Sequence, residues 1–287
     1  MEEKIRLIPS EEISEAVRRL FLSTAVELPA FASGRLKEAE SAETSPVGRE
    51  ILGTLSQNLD AALKCGVPIC QDTGMAVVFA DFGRGAAVSG KSFTDAVNEG
   101  VRRAYVDGAL RLSVVEDPLY ERKNTGDNTP AVIHVRFTDD PELAGKIRLT
   151  AAPKGFGSEN MSAIRMFTPS ANEDDVAEFV VGVAASAGAN PCPPIYVGVG
   201  IGGDFESCAL LSKRALLRES ASDDERYARL ERRLLSEINR LGIGPQGFGG
   251  DVTALAVFVE HAPTHIAGLP VAVNICCHVN RHASVVI

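Results

Sequence analysis

The sequence of 287 residues has no tryptophan, six cysteines without a CxxC pair, and no excess of basic residues. Each absence excludes something. Lysine and arginine number 29 against 38 aspartates and glutamates, for a formal net charge of −9. Nucleic acid is therefore excluded as the main partner, because neutralising phosphates requires a cationic surface. No apolar run approaches the roughly 20 residues that cross a bilayer. The charged N-terminus, MEEKIRLIPSEEISE, lacks the apolar region of a secretory leader. These two absences point to a cytoplasmic protein without a membrane partner. Six cysteines are too sparse for a disulfide framework in a reducing compartment, which leaves buried thiols or metal ligands. Internal repeats and low-complexity tracts are also missing.

What is present is the mixture of a soluble globular chain, 45% hydrophobic and 23% charged. Ile13, Val17, Leu20 and Phe21 share one face of a helix opening at Pro9 and Ser10. Ser33–Ser45 reads as a polar surface connection, and Pro46 starts a second helix that ends at Gly66. AVVFADF, AVIHVRF and KIRLTAA read as strands, the second half-buried and the third its neighbour. Asn172, followed by Glu173, Asp174 and Asp175, caps a helix reaching Ser186. Strand IYVGVG, helices near Phe205–Glu219 and Asp223–Leu241, and strands TALAVFVE and LPVAVNI complete the pattern. The fold class is α+β: one compact domain over residues 1–287, with two lobes and separate sheets flanked by helices.

Five polar, glycine-rich loops interrupt these elements: CQDTG (70–74), KNTGDNTP (123–130), PKGFGSEN (153–160), GIGPQGFGG (242–250) and PTHIAGLP (263–270). Such loops either turn the chain or present backbone N–H groups to an anion or cofactor. Cys70, Cys192 and Cys277 each end an apolar element beside Pro, Gly or polar residues, where a thiolate can enter a shared cavity. Cys65, Cys208 and Cys276 sit in more apolar or helical surroundings and read as structural. Spacing leaves the metal open: an iron–sulfur cluster, zinc on Cys65, Cys70, Cys277 and His278, or none. The formal GxGxxG at Gly198–Gly203 is a weak dinucleotide signal. Its acidic pair Asp223/Asp224 opens a helix where that fold needs the end of a strand.

Taken together, CQDTG, NTGDNTPAVIH, APKGFGSENMSA, NPCPPIYVGVGIGGDFE, LGIGPQGFGG and PTHIAGLPVAVNICCHVNRH resemble the class I fumarases and L-tartrate dehydratases, iron–sulfur hydro-lyases. The match runs from about residue 65 to the C-terminus and covers the family's N-terminal, cluster-binding region. The resemblance implies a [4Fe–4S] cluster held by Cys70, Cys192 and Cys277 at the junction of the lobes. Three protein ligands leave one iron open to act as a Lewis acid on the substrate hydroxyl. It implies Asp72 and His265 as proton-transfer residues, and Gln71, Arg111 and Lys154 as substrate-binding residues. An Asx-type turn for Asp72, a turn histidine bonding backbone for His265 and a surface salt bridge for Arg111 are the plainer readings of those residues.

The implied reaction is reversible hydration of a small C4 dicarboxylate, fumarate to (S)-malate. L-tartrate dehydration is the near alternative, and a cluster scaffold or sensor without turnover the distant one. Because the sequence stops at Ile287, a separate beta subunit is implied, in a symmetric alpha/beta assembly. The base for the carbon-bound proton is then expected on that subunit. One departure from the pattern is Cys276, where relatives often carry Asn. Cys277 is retained as the ligand because it directly precedes His278.

Overall fold

The computed structural model describes residues 5–287. Two compact units emerge, each assembled from separated stretches of chain. One takes residues up to Pro29, Ala61–Lys154 and Arg281–Ile287; the other takes Ala30–Asp60 and Gly155–Asn280. Both are α+β, with helices beside open sheets. The division between Asp60 and Ala61 falls inside a helix, where no change of composition marks it. Among the described residues no helix is long and apolar enough to cross a membrane.

Numbered along the whole chain, the first unit holds β1 (Arg6–Pro9), α1 (Ser10–Val26), the end of α3 (Pro46–Cys65), β2 (Val77–Gly83), β3 (Ala86–Ser89), α4 (Phe93–Asp107), β4 (Val132–Thr138), β5 (Ile147–Ala151) and β10 (Ala283–Val286). The predicted stripe of α1 is buried, with Ile13 and Val17 fully enclosed. Ser92 Oγ accepts from Asp95 N–H and starts α4. That helix adds Val97, Val101 and Tyr105 to the same core. Each such side chain contributes about 1.5–3 kcal/mol through removal from water. Ser14 Oγ donates to Ala96 O and ties the two helices together.

The four-stranded sheet runs β10-β5-β2-β4, with β2 parallel to β4 and antiparallel to β5. Two expectations change here. KIRLTAA pairs with β2 and β10 rather than with AVIHVRF. β4 is an edge strand whose Val135 and Phe137 are 47% and 81% exposed. Alternation identifies residues that share a face, but it does not say whether anything covers that face.

The second unit holds α2 (Ala30–Ala42), most of α3, α5 (Phe156–Glu159), β6 (Ala163–Phe167), α6 (Glu173–Ala187), β7 (Ile195–Gly203), α7 (Phe205–Ala215), α8 (Glu225–Asn239), β8 (Ala254–Thr264) and β9 (Leu269–Cys276). The stretch read as a polar connection is largely α2. It buries only Ala32, Leu36 and Ala39, a stripe too narrow to register as amphipathic. Asn172 caps α6 in a reciprocal box with Asp175.

The sheet order is β6-β9-β7-β8, with β7 parallel to β8 and antiparallel to β9. This repeats the pattern of the first unit. In both, a central strand crosses over through helix to a parallel neighbour, and the next strand returns antiparallel on the other side. α7 lies so close to β7 that a Cβ on Gly198 or Gly200 would stand 2.1 Å from Ser212 O or Cys208 O. The GxGxxG glycines therefore admit a helix against a strand, and no phosphate loop is formed.

Candidate active site

In the first unit the CQDTG turn is fastened from four directions. Tyr105 Oη donates to Thr73 O and Gly74 O at 3.1 and 2.9 Å. Asn128, fully buried, donates from Nδ2 to Gly74 O and accepts Ser113 N–H at Oδ1. Thr73 Oγ1 accepts Arg111 N–H at 3.0 Å and donates to Arg111 O at 3.3 Å. Arg281 Nη2 donates to Asp72 O. Met75 and Lys154 exchange two backbone hydrogen bonds of 2.9 Å each. Gly74 has φ +86° and lies against this crossing, where a Cβ would stand 2.8 Å from Lys154 N. The turn thus brings the chain positions of Cys70, Gln71, Asp72, Arg111 and Lys154 together.

Within the turn, Asp72 N–H donates to Cys70 Sγ at 3.4 Å, and Gly74 N–H donates to Asp72 Oδ1 at 3.0 Å. The first contact gives the sulfur a backbone donor. The second is the Asx turn anticipated as the plainer reading of Asp72, and it fixes the carboxylate's orientation. Gln71 and Arg111 are exposed, and Lys154 is buried. Burial pushes the Tyr105 phenol above its ordinary range, while nearby Arg281 opposes that shift. Tyr105 therefore remains a hydrogen-bond donor at neutral pH.

In the second unit Cys192 and Cys277 are brought together at one end of the sheet. The Cys192 backbone has φ +54° and precedes the cis bond Pro193–Pro194. His278 Nδ1 lies 3.0 Å from Cys192 O; a carbonyl can only accept, so Nδ1 carries the proton. On the other side, Gln246 donates from its backbone N and from Nε2 to Pro193 O, both at 2.7 Å. This assigns a function to the GPQGFGG loop: it holds the cysteine loop in place. The SEN end of the third loop is fastened to β9 just before Cys277, through Asn274 Nδ2 to Glu159 and Ile275 N to Ser162 Oγ.

His265 does not join these thiols in its own unit. It sits in the turn after β8, where Ala267 N–H donates to its Nδ1 at 3.1 Å. Gly203 registers with Thr264 at that end of β7, and Tyr196 with Cys276 at the other. A nine-residue strand spans roughly 30 Å.

The six cysteines form no disulfide. Cys192 is exposed and Cys70 and Cys277 are partly so, whereas Cys208 and Cys276 are buried. Among the described residues no three His, Cys, Asp or Glu side chains form a group suited to one metal ion. Single-ion ligands must converge on one centre, whereas the thiolates of a cubane bind different irons and stand farther apart. A groove of about 630 Å³ lined by Arg165, Phe167, Glu178 and Phe179 contains none of the candidate residues. The sequence reading overlooked the residues that hold the turn: Thr73, Tyr105, Asn128 and Arg281. Three of them lie inside the motifs above, and Tyr105 lies outside them.

Comparison with known proteins defines the class. A family model described as fumarate hydratase (Fumerase) matches residues 14–286. The chain belongs to that family and is an enzyme of the hydro-lyase class. It is 41% identical over 277 residues to a Methanocaldococcus jannaschii protein named "Putative L(+)-tartrate dehydratase subunit alpha", covering 95% of this chain and 96% of the relative. It is 31% identical over 280 residues to the L(+)-tartrate dehydratase subunit alpha of Escherichia coli K12, covering 96% and 91%.

Proposed function

We propose that this chain is the cluster-binding alpha subunit of a hydro-lyase acting on a C4 dicarboxylate, completed by a separate beta subunit in a symmetric assembly. The observation that carries the proposal is the Cys70–Gly74 turn. It gathers a thiol, an oriented carboxylate and the chain positions of Arg111 and Lys154 around one loop. The donor set suits a [4Fe–4S] cluster: Cys70, Cys192 and Cys277 are accessible thiols at ends of elements, and Cys70 already accepts a backbone N–H. When bound, such a cluster supplies an iron without a protein ligand, a Lewis acid for the substrate hydroxyl.

The chain's own residues perform the remaining work. Asp72, oriented by Gly74 N–H, gives or takes the proton at the hydroxyl oxygen. Arg111 extends its guanidinium from a backbone clamped by Thr73 and binds one carboxylate through its planar fork. Buried Lys154 and exposed Gln71 position the rest of the substrate. His265 lies a strand's length from its own Cys192 and Cys277, so we assign its proton transfer to the site of a second copy. Mixing Cys277→Ser and His265→Asn chains then restores activity that neither has alone. Failure to restore it removes His265 from the reaction.

Two substrates fit this chemistry. Fumarate, hydrated to (S)-malate, agrees with the family description. L-tartrate is favoured by the names of the relatives at 41% and 31% identity. Kinetics on both, using the anaerobically reconstituted alpha/beta complex, separate them by kcat/KM. A complex loaded with iron and sulfide but inactive on both would overturn the proposal and favour a scaffold or sensor.

A further inference from the structure

Arg281 is only 4% exposed. Among the described residues its side chain makes one hydrogen bond, from Nη2 to Asp72 O, in the turn that carries Cys70. Nε and Nη1 are buried and meet no hydrogen-bond acceptor among the described residues. A buried guanidinium with donors left idle is costly, and the cost disappears when an anion provides acceptors. The fork geometry says which anion. Nη2 carries two hydrogens, and only one faces Asp72 O. The other still forms a two-pronged donor pair with Nε or with Nη1, depending on which side the carbonyl occupies. Two parallel donors match the two oxygens of a carboxylate and do not match a single sulfide.

Resting on the hydro-lyase reading, we propose that Arg281 is a carboxylate-binding residue of this site, gripping one end of the dicarboxylate while its Nη2 holds the Asp72 carbonyl. It is thereby both a substrate contact and a positioning residue. Substrate arrival supplies the missing acceptors, tightens the turn and sets Asp72 against the substrate. The residue lies directly after the segment containing Cys277, so the chain that supplies a thiol also supplies this cation.

The test uses the anaerobically reconstituted alpha/beta complex and succinate, a C4 dicarboxylate without a hydroxyl group or double bond. Its Kd is measured by calorimetry beside iron and sulfide content, with butyrate as the monocarboxylate control. Arg281→Gln is expected to raise the succinate Kd by about 10- to 100-fold, the range for a lost charge-assisted pair, with full cluster content and butyrate binding little changed. Arg281→Lys keeps the charge without the fork and is expected to fall between; it also serves if Arg281→Gln does not fold. Succinate Kd at the wild-type value in Arg281→Lys and Arg281→Gln overturns the inference. So does loss of iron and sulfide with unchanged succinate affinity, which would make the residue a support for the cofactor. Absence of iron and sulfide from the wild-type complex would instead defeat the hydro-lyase reading on which this rests.

Discussion

Tyr105→Phe removes one oxygen from the floor of the candidate site. The ring remains packed, with its centroid 5.9 Å from that of Phe21. Two hydrogen bonds vanish, to Thr73 O and Gly74 O. Gly74 O retains Asn128 Nδ2 at 3.2 Å, so Thr73 O bears most of the loss. A buried carbonyl without its donor costs about 1–3 kcal/mol, or roughly 2–4 °C per kcal/mol in the melting temperature of a chain this size. Because the same turn carries Cys70 and Asp72, turnover is expected to fall by more than stability implies. A drop in kcat of about tenfold or more, equivalent to ~1.4 kcal/mol of barrier, is the predicted outcome. The assay pairs urea unfolding with kinetics of the reconstituted complex. A variant destabilised as predicted but with unaltered kcat would refute the argument that the phenol holds the turn for catalysis.

Three further perturbations follow from the geometry. Glu43, fully buried, accepts backbone N–H groups from Ser45, Asp251 and Val252. Glu43→Ala leaves these donors without their acceptor and is expected to cost about 3–5 kcal/mol in urea-determined stability. Hydrogen bonds from Arg102 and Arg103 pull the Glu99 carboxyl down from its ordinary 4.5 to about 2. The folded value lies below the unfolded one, so this stabilisation is complete above about pH 4.5 and lost as pH falls toward about 2. Glu99→Gln should flatten stability in that window, and salt should weaken the effect because the group is partly exposed. Alkylation of cluster-free chain, followed by mass spectrometry, is expected to modify Cys65 and Cys192 first and Cys208 last. Cys208 is buried, and its thiol pKa is raised by that burial.

Much of this molecule was legible in the sequence where the signal is local. The stripe Ile13–Phe21, the Asn172 helix start and the loop at Cys70 all depend on residues within a few positions of one another. What was not legible depends on distant partners. α2 presents only Leu36 and two alanines to its core, and composition alone made it a connection. The partner of β5 is β2, some 70 positions upstream, and nothing in KIRLTAA specifies it. The two units repeat one sheet topology without repeating sequence, because many apolar faces satisfy the same pairing. Asp72, Arg111 and Lys154 are candidates that the resemblance names, but the links that join them through Thr73 and Tyr105 are tertiary. Arg281 stood in a quoted segment and was passed over, since an arginine near a chain end reads as surface until its burial is known. His265 illustrates the reverse case. Its motif marks it for the site, yet the strand directions set it at the far end of the sheet from Cys192 and Cys277.

The central claim is tested most directly by iron and acid-labile sulfide in oxygen-free protein carrying single serine substitutions. Cys70→Ser, Cys192→Ser and Cys277→Ser are each predicted to lose the cluster and its visible absorbance, while Cys208→Ser and Cys276→Ser retain both. Full iron and sulfide in any of the first three, or their loss in Cys276→Ser alone, would contradict the assignment of these thiols.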